Sequence, residues 1–328
     1  MRFLPALLVC SGLVATTQAQ NPTAPLTLDK TIPMPRVEGR IDHMAADVAG
    51  QRLFVAALGN NSVEVLDLKA GTSIRSVPGF AEPQGIAYVP ELNRVFIANG
   101  QDGTCRILDG QSLQTISSLQ CGEDADNVRY DAKAGRIYVG YGDGALAVLD
   151  AKTGAKLTDI KLSGHPESFR LETGGPRIFV NVPKADHIAV LDRDKGEVIA
   201  TWPLKEARSN FPLILDEANH RLFAGCRNPA RVLVYDYATG KLVTSFAISR
   251  DTDDLFFDAA NKSLYVSCGQ GAIDAIQQTD ADHYTAAKPV PTATGARTSL
   301  FVPELRILCL AVPHRGDQRA EVRIYKTN

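Results

Sequence analysis

Arg52-Leu53-Phe54-Val55-Ala56 is followed 42 residues later by Arg94-Val95-Phe96-Ile97-Ala98, and 42 after that by Arg136-Ile137-Tyr138-Val139-Gly140. The pattern continues as Arg177-Ile178-Phe179-Val180-Asn181, Arg221-Leu222-Phe223-Ala224-Gly225, Ser263-Leu264-Tyr265-Val266-Ser267 and Arg306-Ile307-Leu308-Cys309-Leu310, at spacings of 41, 44, 42 and 43 residues. Seven copies at so constant a period mark a repeat architecture. In such a protein each unit is one supersecondary element that cannot bury its apolar face alone.

Working outward from that stretch, each copy has the same order. A short apolar strand precedes the Arg-led strand, as in Gly85-Ile86-Ala87-Tyr88-Val89. A third strand follows and ends in Asp at Asp67, Asp109, Asp150, Asp192 and Asp236. A turn such as Lys152-Thr153-Gly154 or Ala238-Thr239-Gly240 then leads to a fourth strand. Four strands with frequent turns describe one propeller blade, and no helical period of useful length competes. The sequence therefore predicts an all-β, seven-bladed β-propeller of four-stranded blades. The seventh copy stops at its third strand, Glu321 to Asn328, so its fourth is expected from the N-terminal stretch Leu26 to Pro33. This three-plus-one closure pairs the chain ends and removes an open sheet edge.

The repeat resembles the YVTN-type, YncE-like seven-bladed propellers. Ile137-Tyr138-Val139-Gly140, Leu264-Tyr265-Val266-Ser267 and Phe96-Ile97-Ala98-Asn99 stand where that family repeats its signature strand, and the Val-x-Val-[Leu/Tyr]-Asp-x-x-x-Gly turns match its third-strand ending. The resemblance covers residues 26–328. It implies the fold strongly and function weakly, because propellers host binding proteins, lactonases, lyases and redox enzymes alike. Members of the family are mostly exported, and some bind other macromolecules.

Of the 328 residues, 45% are apolar and 22% charged, with Lys+Arg 35 against Asp+Glu 37. This ordinary globular composition carries no basic footprint for nucleic acid. Met1-Arg2, the apolar run Phe3 to Val14 and the small residues Thr17-Gln18-Ala19 read as a signal peptide over residues 1–19. The single propeller domain is then expected over 20–328, in the periplasm or secreted, as a monomer. No later stretch reaches the ~20 apolar residues of a membrane helix. Cys10 leaves with the leader, so Cys105, Cys121, Cys226, Cys268 and Cys309 remain, an odd number without CxxC spacing. A hairpin centred near residue 113 would set Cys105 opposite Cys121, at a separation suited to a disulfide. A one-residue register shift would instead turn the two to opposite sheet faces.

Candidate chemistry is read from register. The first strands align on Asp47, Pro90, Asp131, Glu172, Asp216, Asp258 and Pro303. Three positions earlier every residue is apolar, as packing between blades requires. Five positions earlier stand Asp42, Gly85, Asp126, Glu167, Phe211, Asp253 and Thr298, four of them carboxylates. His43, Gln84, Asn127, Asn210, Asp254 and Arg297 are adjacent. These seven segments differ from one another, whereas a purely structural turn can repeat one solution. The loops leading into the first strands share the top face, so these side chains are expected to converge at one channel mouth. There they would bind a small molecule or a protein partner, with Asp42, Gln84, Asp126, Asn127, Asp254 and Arg297 as ligand contacts.

Two further readings use the same mouth. Glu167, Asn210 and Asp253, from successive blades, are similar to the Glu/Asn/Asp metal set of gluconolactonase-like propellers, and oxygen donors without cysteine suit Ca²⁺ or Mg²⁺. With His43 or His165 as base, a metal-dependent hydrolase or lyase follows. A non-catalytic envelope scaffold needs no pocket, since Asp, Asn and Ser also cap turns and a channel mouth is commonly polar. A nucleophile elbow, a Walker loop and CxxCH are all absent from the sequence. The lone Trp202 excludes the tryptophan-docking ring of quinone propellers.

Overall fold

The computed structural model describes Met1 and residues 24–328. The leader assigned to residues 1–19 lies, Met1 apart, outside the described residues. Seven antiparallel sheets follow one another along the chain, each with its strands in sequential order. Blade 1, for example, runs Met44–Asp47, Arg52–Ala57, Ser62–Asp67 and Thr72–Pro78. Blade 6 departs slightly, its outer strand broken into Tyr284–Ala286 and Val290–Pro291, both paired with Ala272–Gln278. Blade 7 is closed by the N-terminal strand. Leu26–Pro33 pairs antiparallel with Glu321–Thr327, from Leu26 opposite Thr327 to Pro33 opposite Glu321.

The core lies between blades rather than within them. Seven apolar clusters each join two neighbours, and the one holding Ile32, Met44, Val55, Cys309 and Ile324 joins blade 7 to blade 1. The aromatic of the repeated pentad explains why. Phe54, Phe96, Tyr138, Phe179 and Phe223 are all fully buried, and losing such a ring typically costs about 3–5 kcal/mol.

The repeated Arg staples blade to blade. Arg52 Nη2 donates to Asp47 Oδ2 at 2.7 Å, and its Nη1 donates to the carbonyl of Gly110 in blade 2. Arg94 reaches the Ala151 carbonyl and Arg177 that of Tyr237, each just after the third-strand Asp of the next blade. Between blades 3 and 4 the direction reverses, and Arg193 reaches back to Asp131 at 3.0 Å.

The third-strand Asp has its own duty. Asp67, Asp109 and Asp150 accept the backbone N–H three residues on, at 2.7, 2.7 and 2.6 Å. This closes the turn into the fourth strand. The glycine that follows in blades 1, 3, 4 and 5 sits at φ of 71° to 75°, a left-handed conformation that disfavours other residues.

The expected pairing of Cys105 with Cys121 is corrected. The register of the hairpin sets Cys105 opposite Leu119, two residues short of Cys121, so its thiol is a diagonal neighbour of Cys121 on the same sheet face. All five cysteines of the described residues are free and buried. Among the described residues no helix is long and apolar enough to cross a membrane.

Candidate functional site

The loops leading into the first strands meet at one end of the central channel and enclose a cavity of about 290 Å³. Its wall holds Asp42, His43, Gln84, Asp126, Asn127, His165, Glu167, Asp253 and Arg297, with Arg40, Asp124, Ser168, Lys184, Phe211 and Arg227. Gly85 occupies the carboxylate position in blade 2 because a Cβ there would stand 2.1 Å from the Asp126 carbonyl oxygen. Its small size lets blade 3 bring Asp126 inward.

Asn210 and Asp254, expected at the mouth, are absent from this wall. Asn210 is fully buried and donates to Asn181 Oδ1 at 2.8 Å and to the His187 carbonyl at 3.1 Å, tying blade 4 to blade 5. Asp254 accepts the Ser299 N–H at 2.7 Å and faces a deeper part of the channel. Of the peripheral histidines, His187 meets Ser163 Oγ at 3.1 Å and His314 pairs with Glu38 at 2.5 Å, both off the cavity.

The carboxylates of the cavity fall into two kinds. Asp253 is clamped between Arg227 and Arg297, the latter at 3.0 Å, and Arg297 also holds Asp251 at 2.6 Å. Asp42 takes Arg40 Nη2 at 2.7 Å, and Asp124 accepts from Gln84 at 3.2 Å. Among the described residues, Asp126 and Glu167 have no arginine or lysine partner. Asp126 Oδ1 is sealed from solvent without a hydrogen-bond partner among the described residues. Burial, then the charges of Asp42 and Glu167, pushes its carboxyl well above the usual carboxylate range. Burial, reinforced by Asp253, raises Glu167 to about 7. Burial also raises Asp42 and Asp253, against the pull of their arginines.

His43 lies 3.6 Å from Asp126 Oδ1 and 3.9 Å from Asp42 Oδ1, too far for hydrogen bonds. Burial, and then Arg129, pushes it down to about 3, so its imidazole is neutral at physiological pH. His165 sets its Nδ1 against the Gly142 carbonyl at 2.7 Å. That bond fixes the Nδ1–H tautomer and leaves Nε2 as the basic nitrogen.

The metal expectation does not fit. Both Asp253 oxygens are spent on guanidiniums and Asn210 points away from the cavity, so the Glu167, Asn210 and Asp253 set does not converge. Among the described residues no three His, Cys, Asp or Glu side chains are arranged to hold a metal ion.

A second ring of channel residues lay within reach of the same alignment but was not read from it. Two positions before the anchors stand Ala45, Tyr88, Arg129, Arg170, Ile214, Phe256 and Phe301. Strand side chains alternate, so positions four and two before the anchor share a face. Arg129, Arg170, Tyr88, Phe256 and Asp254 accordingly line a lower chamber of about 240 Å³, with His43 on the wall of both chambers.

No protein-family model matches the chain. The YncE proteins of Salmonella typhimurium and Salmonella typhi are each 24% identical over 257 residues, which is 72% of this chain and 71% of theirs. Antigen Lp49 of Leptospira interrogans is 20% identical over 234 residues, 66% of this chain and 50% of that antigen. Among solved structures, a chain of the mitotic checkpoint complex superposes with a TM-score of 0.78 at 14% identity, over 99% of this chain and 98% of its own. A chain of Kuenenia stuttgartiensis hydrazine synthase gives 0.72 at 16% identity, over 92% and 96%. At these identities the two structures speak for the fold alone. The pentad repeat, the closure of the ring by the N-terminal strand and the YncE relatives together make this chain similar to the YncE-like β-propellers.

Proposed function

We propose that this protein is an exported, monomeric propeller that binds a small polar ligand with an ammonium group in its top-face cavity. The observation that carries the reading is the contrast among the carboxyls. Asp42 and Asp253 already hold arginines, whereas among the described residues Asp126 and Glu167 line the cavity without an arginine or lysine partner. A ligand ammonium supplies the charge that burial otherwise denies them, and Asn127, Gln84 and Ser168 add hydrogen-bonding groups. Binding of a cation then strengthens as pH rises through about 7, because Glu167 must ionise to meet it.

Calorimetric titration with a panel of primary and quaternary amines tests this. Saturable binding that falls about tenfold in Glu167→Gln, the loss of one charge-assisted contact, is the expected result. No binding by any amine, or binding indifferent to both Glu167→Gln and Asp126→Asn, overturns it. Ca²⁺ and Mg²⁺ are expected to bind no better than Na⁺. Sedimentation velocity and fractionation of an expressing cell test the monomeric state and the export.

A second reading, metal-free hydrolysis or lyase chemistry, is favoured by Glu167 itself. A carboxyl held at about 7 is poised to exchange protons at neutral pH, and His165 Nε2 is a second base on the same wall. A lactone and ester screen decides it, and turnover unaffected by Glu167→Gln would rule that chemistry out.

A further inference from the structure

Below the mouth, His43 forms part of the wall of the lower chamber as well, and there the charge is inverted. Consecutive blades place Arg129 and Arg170 side by side in the same register, with Asp254 the nearest acid on the wall. Arg129 is already occupied. Its nitrogens donate to Asn127 Oδ1 at 2.8 Å, the Val128 carbonyl at 2.8 Å and the Phe169 carbonyl at 3.2 Å. Asp254 has one oxygen committed to the Ser299 N–H, and among the described residues it lies beyond ion-pair distance of both arginines, acting on them only through its longer-range charge.

Arg170 is the exception. Its Nε is sealed from solvent and has no hydrogen-bond partner among the described residues. Arg170 is half-buried beside a second guanidinium, and Asp254, the acid on this wall, makes no ion pair with it among the described residues, so the pair of like charges is only partly compensated. Beside the arginines the wall is mixed, with the polar groups of His43, Tyr130 and Ser299 and, around the pair, the rings of Tyr88 and Phe256 and the side chain of Leu300. Such a concavity offers a ligand both apolar contact and a few convergent polar groups.

We propose that the lower chamber binds a small organic carboxylate, its carboxylate held by Arg170 beside Arg129 and its apolar body packed against Tyr88, Phe256 and Leu300. Planar, bidentate recognition of carboxylate is what a guanidinium does best. The site is separate from the amine-binding reading above and stands or falls without it.

Benzoate, benzylamine and sulfate serve as probes of the full mature chain, read by the thermal unfolding midpoint and by calorimetry. Benzoate is expected to raise the midpoint and bind saturably, whereas benzylamine, the same ring with the opposite charge, and sulfate, an anion without the ring, do not act at this chamber. In Arg170→Met the benzoate affinity drops about tenfold or more, as loss of a charge-assisted pair requires. The midpoint of the unliganded variant should rise or hold, because an uncompensated charge has been removed. Glu167→Gln, at the mouth, leaves benzoate binding unchanged and separates the two sites. The proposal is overturned if benzoate does not bind, if sulfate binds as well as benzoate, or if Arg170→Met binds benzoate as the parent does. If Arg170→Met does not fold, Arg170→Lys, which keeps the charge but loses the fork, must still weaken benzoate binding.

Discussion

The side chains that hold this ring together are few and repeated. Arg177 donates from Nε to Glu172 Oε2 at 2.9 Å and from Nη1 to the Tyr237 carbonyl at 2.8 Å, so one residue fixes its own blade edge and grips the next. Its guanidinium also holds the Glu172 carboxyl below the usual carboxylate range. Arg177→Gln leaves that buried carboxylate unpaired and is expected to cost about 2–4 kcal/mol in urea unfolding, with Arg177→Lys recovering only part. An unchanged denaturation midpoint would show that the staple contributes nothing. The sequence displayed this residue as the first letter of the pentad. Its partners were not visible there, because they lie 5 and 60 residues away along the chain.

At the scale of elements, two features decide behaviour. The strand Leu26–Pro33 supplies Ile32, fully buried in the cluster between blades 7 and 1. Starting the mature chain after Pro33 removes this cover and exposes the unpaired edge of Glu321–Thr327. Self-association on size-exclusion chromatography and a lowered unfolding midpoint are the expected results. A monomer of parental stability would mean that closure does not depend on this strand. The second feature is the bulge between Ile107 and Leu108, which recurs at the same place in blades 1, 3, 4 and 5. Even with its one-residue shift, Cys105 faces Leu119 and not Cys121. Thiol titration of unreduced protein should therefore find little reactivity when folded, since all five thiols are buried, and five thiols after denaturation. Three would mean that a bridge has formed.

At the scale of the molecule, the channel sets the pH response. Burial raises Asp42, Asp126, Glu167, Asp253 and Asp254 together. A carboxyl whose pKa is higher folded than unfolded binds more protons in the native state between the two values. Its contribution is complete below the unfolded value and is lost as pH rises through the folded one. For Glu167 that window runs from 4.5 to about 7, and its share is about 1–3 kcal/mol. His43, held down to about 3, acts in the opposite direction below its unfolded value of 6.5, so unfolding free energy should decline most clearly between about pH 6.5 and 8, and Glu167→Gln should flatten the decline. A stability that rises over this range would contradict the assigned burial.

By itself the sequence determined the blade number, the strand order and the closure, because a 42-residue period and strand alternation are local properties repeated seven times. It also indicated where the acidic mouth would be, through Asp42, Asp126, Glu167 and Asp253. Only the tertiary structure decided which of those acids keep a cation and which do not. Arg40 pairs locally with Asp42, but Arg227 and Arg297 reach Asp253 from other blades, and pairing across blades leaves no period in the chain. The same holds for Asn210 and Asp254, whose residue types suit a site but whose hydrogen bonds turn them to structural work. Arg129 and Arg170 were legible as register positions. That they share a chamber, and that Arg170 Nε has no hydrogen-bond partner among the described residues, depends on seven blades closing around a channel.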